Sequence, residues 1–155
     1  MRSLGLATAA LLLIPGNVVA QAAGPDASLQ WIPVPPILPP GALIAVVSGD
    51  PTGPGRCTVE LAMPDGYVMP PHSHPGDELV EVVSGTLLVG MGDRTDVRKT
   101  QAVGVGDTGT APAGMRHYTI AQGQTTVRVT FMGPYTITYV HEYDVPRSPS
   151  FPYQY

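Results

Sequence analysis

Apolar and polar positions alternate along much of the chain, and the alternation stops at glycine and proline. Cys57-Thr58-Val59-Glu60-Leu61-Ala62-Met63 follows it, as do Val127, Val129 and Phe131 against Arg128 and Thr130, and Tyr135, Ile137 and Tyr139 against Thr136 and Thr138. A period of two sends successive side chains to opposite faces of a strand. The pattern predicts strands over 42–48, 57–63, 67–74, 78–83, 86–91, 100–103, 107–111, 116–121, 125–132 and 135–141. No stretch carries a 3.6-residue period, so an all-β chain is expected. The 18 glycines and 18 prolines point the same way, because both residues are costly inside helices and common in turns.

Two segments near the start do not alternate. Arg2, the apolar run Leu4 to Ile14 and the small residues Val18-Val19-Ala20 have the layout of a secretory signal peptide. Residues 1–22 are therefore expected to be removed on export, leaving a periplasmic or secreted protein. The apolar run is short for a membrane span, so no membrane partner is expected after cleavage. Residues 23–41 form a Pro-rich arm that cannot pair inside a sheet, for want of backbone donors. Its apolar residues Trp31, Ile32, Val34, Ile37 and Leu38 should lie against the protein in an extended, polyproline-like path. The folded domain is expected over 42–145, with 146–155 as a tail.

Charge narrows the partners. The net charge is −4 and there is one lysine, which argues against nucleic acid and anionic membrane surfaces, since both need clustered cations. Asp93 to Lys99 mixes signs and reads as a solvated hairpin tip. Cys57 has no second cysteine to pair with, and its place on the apolar side of a strand predicts a buried, inert thiol.

Three of the four histidines carry the chemistry. His72-Ser73-His74 on an extended strand puts two imidazoles on one face, about 7 Å apart along the backbone. After the turn at Pro75-Gly76, Glu78 can return a carboxylate to the same place, and His117 can add a third nitrogen if its strand lies opposite. Such a set suits one divalent transition metal and leaves coordination positions open; histidines serving only the core or the surface are the alternative. The fourth, His141, reads as structural. A nucleophile elbow, a phosphate loop and a Cys-x-x-Cys site are all missing from the sequence.

The spacing Gly66-x5-His72-x-His74-x3-Glu78-x6-Gly85, followed by Gly106-x5-Pro112-x-Gly114-x2-His117, resembles the two motifs of the cupin superfamily. Nine specified residues fall in register across the middle third of the chain. Ala121 stands where the family has a second-motif Asn, which is not a metal ligand in the family pattern. The resemblance implies an all-β double-stranded β-helix, or jelly-roll barrel, with the Pro-rich arm as an N-terminal extension. It implies His72, His74, Glu78 and His117 as ligands of one divalent metal per chain, whether Fe, Mn, Zn, Cu, Ni or Co. The glycines at 66 and 85 are expected to end strands in turns. If Glu78 faces inward, parity turns Val80 and Val82 in and Leu79, Glu81 and Val83 out. That back face should be covered by the arm or by a second subunit, and a homodimer is expected.

Function is less constrained than fold. The first reading is a metal-dependent enzyme of dioxygenase, lyase or decarboxylase type acting on a small molecule, with Glu78 staying a ligand or detaching as general base. The alternative is a non-catalytic periplasmic protein that binds metal or a small ligand; a sugar isomerase is a weaker third. Oxalate is disfavoured because parity offers no cation in the pocket. Asp77 and Arg116 read as solvated charges. Met63, Met69, Met115, Phe131 and Tyr139 are expected to pack the core, with some of them lining the pocket.

Overall fold

The computed structural model describes residues 24–147, and the expected signal segment lies outside that range, as does the tail from residue 148. The described chain is all β apart from two single turns of 3-10 helix. Its strands are β1 (Ile32–Pro33), β2 (Leu43–Ser48), β3 (Gly55–Met63), β4 (Val68–Ser73), β5 (Glu78–Met91), β6 (Thr100–Val103), β7 (Thr108–Ala111), β8 (His117–Gly133) and β9 (Thr138–Tyr139). Every pairing is antiparallel. The sheet runs β1-β2-β3-β8-β4-β9, with β6 and β7 joined through β5, which also pairs with β8. This is the jelly-roll arrangement the motifs imply, although the pairing does not close into an unbroken ring.

Two pairs of expected strands are each a single long one. Segments 78–83 and 86–91 belong to β5, and 116–121 and 125–132 belong to β8. Gly85 is therefore not the end of a strand in a turn but part of a bulge inside β5, where the register against β8 shifts on both sides of Ser84. Thr125 bridges the shift: its Oγ1 accepts from the Thr86 N–H at 3.2 Å and lies 3.0 Å from the Thr86 carbonyl. A side-chain hydroxyl thus replaces ladder bonds where the strands bend, and Thr125 is fully buried. The last expected strand shrinks to Thr138–Tyr139, though its alternation survives, with Thr136 and Thr138 exposed beside the less exposed Tyr135, Ile137 and Tyr139.

Register sorts side chains into rows across the sheet. Val59, Val129 and Val80 form one inner row, and Leu61, Val127 and Val82 the next. All six belong to or pack on the apolar core, with Cys57 fully buried among them. The rows between face outward: Thr58 meets Thr130 at 3.0 Å, and Arg128 pairs with Glu60 at 2.7 Å and Glu81 at 3.3 Å. Parity is as expected at Glu78, Val80 and Val82 on the inside and at Leu79 on the outside.

The arm takes a different place from the one expected. Ile32 and Pro33 add an edge strand to β2, opposite Ile44 and Leu43, a position where proline costs no ladder bond. Leu38 inserts into the core, while the Tyr67 and Tyr139 hydroxyls donate to the carbonyls of Pro39 and Ile37. The arm therefore closes the β2 side of the interior. Leu79 on the back face is left 41% exposed.

Gly66 and Gly85 have nearly equal positive φ, 75° and 78°, but different surroundings. A Cβ on Gly66 would meet nothing within 4 Å, whereas on Gly85 it would lie 2.3 Å from the Gln124 carbonyl oxygen. Gly66→Ala should cost about 1 kcal/mol from backbone strain alone. Gly85→Ala should cost about 3 kcal/mol, because strain and overpacking add. Urea midpoints at unchanged slope measure both, and equal losses would show that the bulge does not clamp this position.

Candidate metal centre

β4 ends and β8 begins at one place, and this brings the histidines together. His72 lies across from His117 in the β4–β8 ladder, and His74 follows just beyond the end of β4. One nitrogen from each of the three lies within 4.8 Å of the others, and all three residues are buried. Two backbone bridges fix the loops. The Gly114 N–H donates to the His74 carbonyl at 2.8 Å, and the Ala113 N–H donates to Asp77 Oδ1 at 2.8 Å. Asp77, read from sequence as a solvated charge, thus ties the turn that carries His74 to the turn that presents His117.

Each histidine has its outer nitrogen committed. His72 Nδ1 lies 2.6 Å from the Pro70 carbonyl, His74 Nδ1 2.9 Å from that of Thr136, and His117 Nδ1 3.0 Å from that of Met115. A carbonyl only accepts, so Nδ1 carries the hydrogen and Nε2 keeps its lone pair. Carbonyl-anchored imidazoles of this tautomer are the usual preparation for metal ligation. His74 Nε2 is buried with no hydrogen-bond partner among the described residues. The donor set therefore fits a divalent cation, which would satisfy that orphaned nitrogen.

Electrostatics agree with neutral rings. Burial holds His72 down to about 3, with the neighbouring His117 adding to the effect. Burial also lowers His74 and His117. Glu78 is buried beside them, its Oε2 3.5 Å from His74 Nε2. Burial raises its carboxyl to about 7, against the pull of His117 and of the Tyr135 side chain. The structure thus brings all four sequence-predicted residues to one wall, and the close cluster of nitrogens is formed by the three histidines.

His72, Glu78 and His117 line a cavity of about 1270 Å³, and His74 is not among its lining residues. Met63, Met69 and Phe131 are buried in the core as expected and also line the cavity, whereas Met115 is exposed, against the expectation, and neither it nor the half-buried Tyr139 lines the cavity. Tyr135 does line it, packed on Phe131 with ring centroids 4.8 Å apart and on His74 at 5.3 Å. Alternation in 135–141 gave Tyr135 an inward side, but only the chain path after Gly133 puts it beside Glu78. Lys99 is exposed, as the reading of Asp93 to Lys99 as a solvated tip has it, and it also borders the cavity. Arg116 points away to an exposed ion pair with Asp93, and His141 bonds the Asp93 carbonyl and stacks on Tyr143, a structural role.

Comparison with known proteins places this architecture. The family model described as the cupin domain matches residues 59–133. Two germin-like proteins of Oryza sativa subsp. japonica, 9-2 and 9-3, are 42% and 39% identical over 64 residues, 41% of this chain and 30% of each relative. The chain thus spans under a third of the length of the curated relatives it matches. Among solved structures, the polyketide cyclase RemF from Streptomyces resistomycificus shares the fold at a TM-score of 0.62 and 19% identity, covering 76% of this chain and 84% of that one. An RmlC-like cupin from Shewanella frigidimarina does so at 0.55 and 15%, covering 72% and 93%. With nine motif residues in register, a jelly-roll fold and the family match over 59–133, this part of the chain is a cupin domain.

Proposed function

We propose that the chain binds one divalent transition metal through His72, His74, His117 and Glu78 and uses it in a reaction of dioxygenase, lyase or decarboxylase type on a small molecule. The observation that carries this reading is the convergence of three carbonyl-anchored imidazoles, of which His72 and His117 line a large apolar cavity and His74 keeps an orphaned, buried Nε2. When bound, the metal supplies Lewis acidity to a substrate that chelates it through two oxygens. The protein's own part is to hold the rings in one tautomer, to exclude water with Met63, Met69, Val80, Leu87 and Phe131, and to move a proton at Glu78. The Glu78 carboxyl serves as fourth ligand when ionised and as the proton-accepting group when detached. Export to the periplasm or beyond is part of this proposal, as is a homodimer.

His72→Ala should abolish stoichiometric metal binding, while His141→Ala leaves it intact; metal per chain after dialysis decides this. Retained stoichiometric metal in His72→Ala would refute the assignment. Metal uptake also requires Glu78 to lose its proton if it is a ligand. Below its value of about 7, apparent affinity should therefore fall by about tenfold per pH unit. In Glu78→Gln the dependence between pH 5.5 and 7 should become shallower, since burial lowers all three histidines. Isothermal titration with a single metal at several pH values gives the slope, and an unchanged slope removes Glu78 from the ligand set.

Catalysis itself is tested by oxygen uptake and by anaerobic substrate loss, using metal-loaded protein and a panel of diketones, flavonols and thiols. Turnover that vanishes in His72→Ala is the expected result. Stoichiometric metal with no turnover of any compound would favour the alternative reading, a non-catalytic protein that binds metal or a small ligand.

A further inference from the structure

Lys99 is the chain's single lysine, and the fold turns it toward the cavity. The inner rows on this wall are Ala121–Leu87–Val103 and Thr119–Val89–Gln101, read across β8, β5 and β6. The next row starts with His117 opposite Met91. Lys99 closes the 3-10 turn 97–99 and immediately precedes Thr100, which pairs with Gly90 next to Met91. Met91, Lys99 and Gln101 all line the cavity. Gly90 and Met91 of β5 pair in turn with Tyr118 and His117 of β8, so Lys99 and His117 lie toward the same end of the interior.

The turn that carries Lys99 is held from several sides. Its N–H donates to the Asp96 carbonyl at 2.9 Å, and the same carbonyl accepts from the hydroxyl of the fully buried Tyr118 at 2.9 Å. Thr100 Oγ1 donates to the Val97 carbonyl at 2.8 Å. The nearby acid is already engaged, since both Asp96 carboxylate oxygens accept from Arg98, at 3.0 and 3.1 Å. Among the described residues Lys99 forms no ion pair. Among the described residues lining the cavity, Lys99 and Glu78 are the only Asp, Glu, Lys or Arg side chains.

We infer that Lys99 sets specificity, selecting substrates that have an apolar body, an oxygen pair facing the histidines and a carboxylate at the other end. This rests on the metal-site reading above and adds the substrate class to it. The apolar walls accept the body, and the free ammonium at the rim pairs with the carboxylate. A dianion with both charges at the metal, such as a short dicarboxylate, leaves no charge for a cation at the rim.

The test uses the full chain loaded with Co(II), with the visible absorption of the ion as readout. Benzohydroxamate and 4-carboxybenzohydroxamate serve as probes, because both chelate through the same two oxygens and differ only in the distal charge. Wild type should bind the carboxylated probe more tightly. Lys99→Glu should weaken that probe by about fivefold, the scale of an exposed ion pair combined with charge reversal, and leave benzohydroxamate within about twofold. Lys99→Arg should keep the preference, and added salt should shrink it. Equal effects on both probes, or no effect on either, would overturn the role of Lys99 while leaving the metal site standing. Failure of the chain to take up Co(II) would overturn both readings.

Discussion

The 14 residues of β5 lie against the 17 of β8, and most of the remaining sheet takes its position from that one ladder. β3 and β4 register on β8, and β6 and β7 register on β5. Because side chains alternate with a period of two, a slip of one residue between β5 and β8 would set the valines of one strand beside the charged and hydroxyl residues of the other, turning Val80 and Val82 to solvent and Glu81 to the core if β8 kept its place. It would also move Glu78, on β5, relative to His117, on β8. The Ser84–Gly85 bulge and the buried Thr125 hydroxyl that bridges it are therefore more than a local irregularity. They fix the offset between the outer and inner halves of the ladder, and the metal-facing end inherits that offset.

Much of this was legible in the sequence because it follows from short periods and short spacings. The alternation in 57–63 and 127–131 gives the inward faces directly, and His72-Ser73-His74 needs only an extended backbone to put two rings on one side. Glu78 and His117 are farther apart in sequence, but the glycines and prolines between them mark where the chain must turn. What the sequence hides depends on contacts it cannot express locally. Nothing in Ser84-Gly85-Thr86 distinguishes a bulge from a turn without the partner strand that supplies Thr125. Tyr135 and Lys99 sit on segments whose alternation or charge reads as ordinary. They enter the cavity only through the path after β8 and the register of β6. The arm was correctly expected to dock, but its site depends on which strand edge lacks a partner, and that edge is β2.

The histidines show how the backbone takes part in a side-chain site. All three outer nitrogens are anchored on carbonyls, and two of those carbonyls belong to residues two positions before the histidine they hold, Pro70 for His72 and Met115 for His117. Tautomer and ring orientation are thus set largely by the local chain path, with only Thr136 contributed from a distant segment, for His74. Burial then keeps the rings neutral. A site made this way needs few supporting side chains, which explains why Ala121 can stand at the motif's last position without disturbing the cluster: it is buried and bonds only through its backbone to Gly66 and Tyr67.

The Pro-rich arm is gripped through its main chain. Tyr67 and Tyr139 donate their hydroxyls to the carbonyls of Pro39 and Ile37, and Leu38 between them is the residue that fills the interior. Proline offers an acceptor and no donor, so a proline-rich segment can cross an apolar opening without leaving an N–H to satisfy. The fit is consequently one of length and polarity. Substitutions along the arm that preserve its carbonyl spacing around Leu38 are compatible with the same grip, whereas a single inserted residue would pull one carbonyl off its tyrosine and lift the hydrophobic plug with it.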